Sequence, residues 1–158
     1  MKFLIFSPTY DDNSGGAIAL HYLCHLLNEM GHQASIVPLY KTYESDQRFL
    51  FRGLVRSFGS KLKMLRKGFT VCPGLNTPVI DKLPPPLPHD VVVVYPEGVA
   101  SNPLGAKNVV RWLLHHPGYH TGKVCYGVKE LYFDYNAFSS DFGIPGSKLS
   151  KNKLFIAK

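Results

Sequence analysis

The first 39 residues constrain the fold of this chain more than any other stretch. Lys2-Phe3-Leu4-Ile5-Phe6 is a short apolar run ended by Ser7-Pro8, the pattern of a parallel strand buried on both faces. A polar loop from Thr9 to Ser14 closes on Gly15-Gly16. From Ala17 to Met30 the spacing is helical. Apolar Ile18, Leu20, Tyr22, Leu23, Leu26, Leu27 and Met30 surround a polar stripe of His21, His25, Asn28 and, just beyond, His32. Gly31 suits the left-handed residue that ends a helix, and Ala34-Ser35-Ile36-Val37 reads as the next strand. Strand, glycine turn, helix and strand make a right-handed βαβ unit. Its turn aims backbone N–H groups and the positive helix end at an anion.

Later segments extend the same architecture. Val91-Val92-Val93-Val94 is a buried parallel strand by its pattern, and Asn108 to Leu114 reads as another after a short turn of helix. Glu130-Leu131-Tyr132-Phe133 is a further candidate, and Leu154-Phe155-Ile156-Ala157 reads as the last strand. Residues 69–89 are irregular: Cys72-Pro73-Gly74, Thr77-Pro78 and Leu83-Pro84-Pro85-Pro86-Leu87-Pro88 cannot sustain a long helix. Val79-Ile80 is a candidate short strand there, and the proline run reads as a stiff connector. The expectation is one α/β domain over residues 1–158, three-layered, with a mainly parallel sheet. Its strands should lie near 2–7, 33–38, 90–95, 108–114 and 153–157.

Charge narrows the partners. The formal net charge is +7, which favours phosphate, anionic lipid or nucleic acid. Most of the excess lies in one segment. Glu44, Ser45 and Asp46 suit a helix start, and Arg48, Arg52 and Arg56 then recur every four residues. Lys61, Lys63, Arg66 and Lys67 follow. Phe49, Leu50, Phe51, Leu54, Val55, Phe58, Leu62 and Leu65 supply an apolar side, and Gly53 and Gly59 bend or break the helix. Two readings stay open: a basic amphipathic surface for lipid headgroups or a phosphorylated substrate, and a solvated helix face over ordinary core. Nucleic acid is disfavoured, because the aromatics follow helical spacing and no recognition motif is present.

Cys24, Cys72 and Cys125 are odd in number and lack CxxC spacing, which points to a reducing compartment without disulfides. Leu4 to Phe6 is too short for a signal-peptide core, and no run approaches a membrane span. A cytoplasmic protein is expected, peripheral on the inner membrane face if the basic segment meets lipid.

The glycine loop argues against one cofactor class and excludes another. Gly15-Gly16 lacks the third glycine of a dinucleotide fingerprint, and the second strand runs into Val37-Pro38-Leu39-Tyr40 without an acidic residue. No G-x-x-x-x-G-K-[ST] is present, so a P-loop is excluded. No cofactor is expected.

The same residues resemble a known family. A first strand, Ser7-Pro8, a loop ending Gly15-Gly16, a helix with Leu20-x-x-Leu23, then Gly31-His32 before the second strand, looks like the start of GT-B glycosyltransferases. Val94-Tyr95-Pro96-Glu97-Gly98, Asn102-Pro103-Leu104 and Asn108-Val109-Val110-Arg111-Trp112-Leu113-Leu114 resemble the N-terminal halves of bacterial surface-polysaccharide glycosyltransferases. The resemblance implies two Rossmann-like domains facing across a cleft. The first holds a glycan or lipid-linked acceptor, and the second holds the nucleotide-sugar. The chain stops where the first domain would end. It is therefore expected to lack the donor-binding half and to transfer no sugar alone. The alternatives are a non-catalytic α/β interaction domain and a basic nucleic-acid-binding domain.

In an open parallel sheet, ligands bind outside the carboxyl ends of the strands. Three loops follow strands on that rim: residues 8–16, 96–104 and 115–121. Candidate substrate contacts are Asn13, Ser14, Gly15, Gly16, Glu97 and Asn102. Glu97 suits either sugar hydroxyls or a turn cap. His115 and His116 alternate in direction along a strand, so one of them reaches the cleft as an acceptor contact or general base; His120 lies close by. Candidate catalytic groups are thus His115, His116 and Glu97. His21 and His25 stand one helical turn apart, as zinc ligands can. No third ligand joins them and Cys24 points elsewhere, so no metal is expected and the stripe should face solvent or the cleft. Arg111, inside a strand, is either exposed or in a buried ion pair, and Trp112 belongs to the core.

Overall fold

In the computed structural model the described residues are 1–39, 68–82, 87–119, 124–127, 129–135, 149–154 and 156, with backbone alone for 149–153. Strand β1 (Lys2–Ser7) leads through helix α1 (Gly15–Glu29) to β2 (Gln33–Pro38). Strands β3 (Val91–Pro96), β4 (Asn108–Leu113), β5 (Leu131–Asp134) and β6 (Leu149–Lys153) follow. They form one six-stranded sheet in the order β2-β1-β3-β4-β5-β6. Every neighbouring pair is parallel. The register sets Ile5 beside Ile36 and Val94, Val94 beside Val110, and Arg111 beside Tyr132. This is the expected parallel α/β sheet.

Strand alternation splits the apolar residues into two cores. On one face Ile5, Ala34, Ile36, Val94 and Trp112 pack with Ala19, Leu20 and Cys24 of α1. On the other, Leu4, Phe6, Val37, Val91, Val93, Tyr95 and Val109 pack with Val99 and Ala106, under half-buried Leu39, Ile80, Leu87 and Leu104. Strands buried on both faces need apolar residues at successive positions, which is why the runs at 3–6 and 91–94 lack polar alternation. Each fully buried aliphatic side chain contributes about 1.5–3 kcal/mol of transfer free energy.

Helix α1 has defined ends. Ser14 takes the extended N-cap conformation, and its hydroxyl accepts from Ala17 N–H. At the far end Gly31 adopts φ 82°, its N–H donates to Asn28 O and that of His32 donates to Leu27 O. Left-handed glycine closes the helix as expected.

Several expectations need correction. The last strand is Leu149–Lys153 rather than 153–157. Leu154 and Ile156 are half-buried against the α1-side core after the strand has ended, and Leu154 O accepts from the Trp112 indole at 3.2 Å. Their apolar pattern marks burial against that core, not membership of the ladder. Val79-Ile80 forms a single parallel bridge, Val79 with Ile36, flanked by Ile36 N–H to Pro78 O and Ile80 N–H to Ile36 O. Pro78 carries no N–H, so it can only accept. The link to β4 is a turn with Gly105 at φ 59°, not a turn of helix. The basic segment with Arg48, Arg52, Arg56, Lys61, Lys63, Arg66 and Lys67 lies outside the described residues, as does His120. Among the described residues no helix is long and apolar enough to cross a membrane.

Candidate functional site

The strand order reverses between β1 and β3: the chain leaves β1 toward β2, then returns to β1's other side. A crevice forms outside the carboxyl ends at such a reversal, because the two connections leave in opposite directions. Here the loops after Ser7 and after Pro96 flank it, joined by the loop after Leu113.

The first loop is built by local hydrogen bonds. Asn13 is exposed. Its N–H donates to Asp11 Oδ1 at 2.9 Å, and its amide donates to the same oxygen at 3.3 Å. Ser14 N–H donates to Asp11 O, while Ser14 Oγ caps α1. Gly15 and Gly16 form the first positions of the helix, where N–H groups have no carbonyl one turn back. Neither adopts positive φ. A Cβ on Gly15 would meet nothing within 4 Å, and one on Gly16 only Leu114 Cδ1 at 3.8 Å. The fold therefore demands glycine at neither position, and the helix start is left bare of side chains. No acidic residue occupies its first turn, so the positive end of α1 is uncompensated there.

The other two loops are strapped together. Glu97 Oε2 accepts from Leu114 N–H at 3.2 Å, and Glu97 O accepts from the Tyr126 hydroxyl at 2.6 Å. Glu97 thus caps the end of β4, although it stays half-exposed. His115 and His116 fall past the end of β4, and both are exposed. Strand alternation consequently does not govern them. His115 Nδ1 accepts from His116 N–H at 2.8 Å, and its ring lies 4.3 Å from that of Tyr119. Asn102 is engaged within its own loop. Its Oδ1 accepts from Tyr95 OH and from Ala106 N–H, and its Nδ2 donates to Ala106 O. The structure thus gathers Ser14, Gly15, Gly16, Glu97, His115 and His116 onto one rim and gives Asn102 a loop-closing role.

Beneath that rim Arg111 resolves its two alternatives as a buried ion pair. Its Nε and Nη2 each lie 2.8 Å from a Glu130 carboxylate oxygen. Nη1 donates to Val99 O, and Nη2 donates to Ser101 O at 2.8 Å. The guanidinium sits 5.1 Å from the Tyr95 ring centre and 4.5 Å from that of Tyr126. Burial pushes the Tyr126 and Tyr132 phenols well above their usual range, so both stay protonated and act as donors. Tyr132 OH donates to Gly127 O at 2.7 Å.

Part of the polar stripe of α1 is covered rather than open: His21 is buried against the rim loop, while His25 and Asn28 stay half-exposed beside a returning segment. Residues 68–76 return across it as a strap. His21 is fully buried, stacked 6.0 Å from Phe69 and edge-on 5.3 Å from Tyr10. Its Nε2 donates to Pro8 O at 3.1 Å, since a carbonyl can only accept. Nδ1 is then a bare acceptor without a partner among the described residues. Burial lowers the pKa of this imidazole, which favours the neutral ring. His25 Nδ1 accepts from Asn76 N–H at 3.1 Å. Asn28 donates to Ala34 O and Asn76 O, and accepts from Ala34 N–H. A polar stripe on a helix can mean a solvent face or a face covered by polar backbone. Its residue types are identical in the two cases, so the sequence alone does not separate them. Tyr10, Phe69, Thr70 and Tyr126 carry no motif, because no short-range pattern links residues as far apart as Thr9 and Thr70, 61 positions, or Glu97 and Tyr126, 29 positions. Among the described residues no group of three or more His, Cys, Asp or Glu side chains could hold a metal ion.

Comparison of this chain with family models, with curated proteins and with solved structures returned no match.

Proposed function

We propose that this chain is the acceptor-side domain of a GT-B glycosyltransferase. In this reading it is a Rossmann-like, three-layer α/β domain that holds a cell-surface glycan or lipid-linked acceptor while a second domain holds the nucleotide-sugar. The observation that carries the reading is the reversal of strand order between β1 and β3, with α1 starting there behind two glycines that no backbone strain requires. Bare N–H groups donate to a hydroxyl or an anion, and the missing side chains let either approach the backbone closely.

On this account Glu97 orients acceptor hydroxyls from the end of β3. His115 or His116 takes the proton from the attacking hydroxyl as oxygen bonds to the sugar carbon and the diphosphate leaves. The basic residues from Arg48 to Lys67 contribute about 1 kcal/mol each near an anionic membrane surface. Co-sedimentation with anionic vesicles that weakens at high salt would agree with that contact; equal binding to neutral vesicles would oppose it.

Alone, the domain offers a nucleotide-sugar a few hydrogen bonds of about 1 kcal/mol each. Set against an association cost of at least about 4 kcal/mol, this leaves roughly millimolar affinity or weaker. Calorimetry with a panel of nucleotide-sugars tests the division of labour. Weak or undetectable binding agrees with it, whereas micromolar binding or any turnover by this chain alone contradicts it.

A further inference from the structure

We propose that the strap, residues 68–76, is a pH-released cover over the loop between β1 and α1, clasped by His21 and His25 only while both rings are neutral. The inference rests on which ring atoms the strap uses, and it stands independently of the glycosyltransferase reading.

His25 holds the strap through a lone pair: Nδ1 accepts from Asn76 N–H at 3.1 Å. A protonated Nδ1 carries a hydrogen and cannot accept. It would face the Asn76 N–H donor to donor, while Glu29 Oε1, 3.8 Å away on the same helix, offers it an anionic partner. Glu29 also accepts from the Asn76 side chain at 3.4 Å, so protonation of His25 competes for the group that holds that amide. His21 holds the strap through burial. Its ring is covered on one side by Phe69 of the strap and on another by Tyr10 of the loop. A second proton on that ring would create a cation whose Nδ1–H has no acceptor among the described residues. The buried His21 ring therefore penalises protonation for as long as the strap stays down, and the Asn76 clasp on His25 needs a free Nδ1 lone pair.

The surrounding groups supply little to offset this at His21. Tyr10 faces it from the loop, and the Tyr10 phenol is raised to about 12 by its hydrogen bond to Cys72, by burial and by Asp12. It stays neutral throughout the range in question. Cys24, one turn along the same helix, is held neutral by burial, with its pKa raised to about 12. Asp12 acts on Tyr10 through a hydrogen bond and its charge. Around His25 the titratable neighbours are Glu29 and Tyr22, whose ring lies 6.4 Å away.

The remaining clasps include ordinary hydrogen bonds that do not titrate: Asn28 Nδ2 to Asn76 O at 3.0 Å, Tyr10 N–H to Thr70 O at 2.9 Å, Thr70 N–H to Thr9 Oγ1 at 2.9 Å, and the contact between the two threonine hydroxyls. Their closure ties the strap directly to residues 9 and 10 of the rim loop. Release of the strap therefore frees that loop, while the sheet, whose strands share no titratable clasp with the strap among the described residues, stays paired. The sign follows from linkage: a base whose neutral form is favoured in the closed state loses closing free energy as pH falls below its open-state titration.

Hydrogen exchange on the full 158-residue chain tests this between pH 7.5 and 5, with rates corrected for intrinsic pH dependence. The amides of Tyr10, Thr70 and Asn76 should lose protection together, by about tenfold per pH unit below the titration of one histidine. Val93 and Val94, in the sheet centre, should keep theirs. The double variant His21→Phe with His25→Gln retains a ring under Phe69 and an acceptor for Asn76 but titrates at neither position, so its strap should stay protected at pH 5. Protection of the wild-type strap that does not change with pH would overturn the proposal. Loss of strap and sheet protection at the same pH would do so as well, since the cover would then have no independent motion. Persistence of the pH dependence in the double variant would assign it to other groups.

Discussion

The Arg111 guanidinium lies fork against fork on the Glu130 carboxylate, with Nε 2.8 Å from Oε2 and Nη2 2.8 Å from Oε1. Their side chains are 0% and 5% exposed. Removing one member strands the other as a buried charge. Arg111→Met should therefore destabilise the domain by about 3–5 kcal/mol, and the double change Arg111→Met with Glu130→Leu by much less. Chemical denaturation of the two variants checks this. A single variant as stable as the wild type would mean that the pair is solvated.

Gly127 is the glycine that the ion pair does require. Its N–H donates to Glu130 Oε1 at 3.0 Å, and an added Cβ would lie 2.8 Å from the same oxygen. Glu130 is not free to swing aside, because Arg111 holds both its oxygens. Gly127→Ala should cost about 1–3 kcal/mol. Gly15→Ala, with open space at its Cβ, should leave the denaturation midpoint near that of the wild type. Equal effects at the two sites would contradict this reading.

Asn28 supports the start of β2 from α1. Ala34, 2% exposed, donates its N–H to Asn28 Oδ1 at 2.7 Å and accepts from Asn28 Nδ2 at 3.0 Å. Asn28→Ala leaves a buried backbone donor unpaired and should cost about 1–3 kcal/mol. Asn28→Asp keeps the acceptor but loses the donations to Ala34 O, Asn76 O and Cys24 Sγ, so it should fall between. Thermal melts at one pH give the ranking, and an alanine variant as stable as the wild type would remove the bridge from the account.

The three thiols should separate by reactivity. Cys125 is exposed, Cys72 half-buried and Cys24 buried, with its pKa pushed up to about 12 by burial. Attack requires thiolate, so at pH 8 Cys24 should react last with iodoacetamide and Cys125 first. Peptide mass spectrometry over time reads the order directly. Early labelling of Cys24 would show that α1 opens readily.

The sheet was legible because a parallel strand buried on both faces has a nearly continuous apolar run: β1 and β3 each carry one, and in β2 and β4 it is interrupted only by Ser35 and Arg111. β6 was displaced because Leu154 and Ile156 are apolar for another reason, their contact with the α1-side core. The rim was legible through a general rule about strand ends, which needs only the strand assignments. The strap over His21 and His25 was not. A histidine stripe looks the same under solvent as under a returning segment, and the returning residues carry no motif of their own. Arg111 stayed ambiguous for a related reason: its partner lies 19 residues away, across a segment with no periodicity to follow.

The central claim is that an acceptor glycan binds where β1 and β3 part, against the bare start of α1. Chemical-shift mapping on the isotopically labelled chain tests it most directly, with a panel of bacterial surface oligosaccharides as titrants. The account predicts saturable shifts confined to Asn13–Ala17, Glu97 and Leu114–Tyr119, abolished by Gly16→Val while the remaining spectrum stays folded. Shifts centred on another surface, or the same shifts in the Gly16→Val variant, would contradict it.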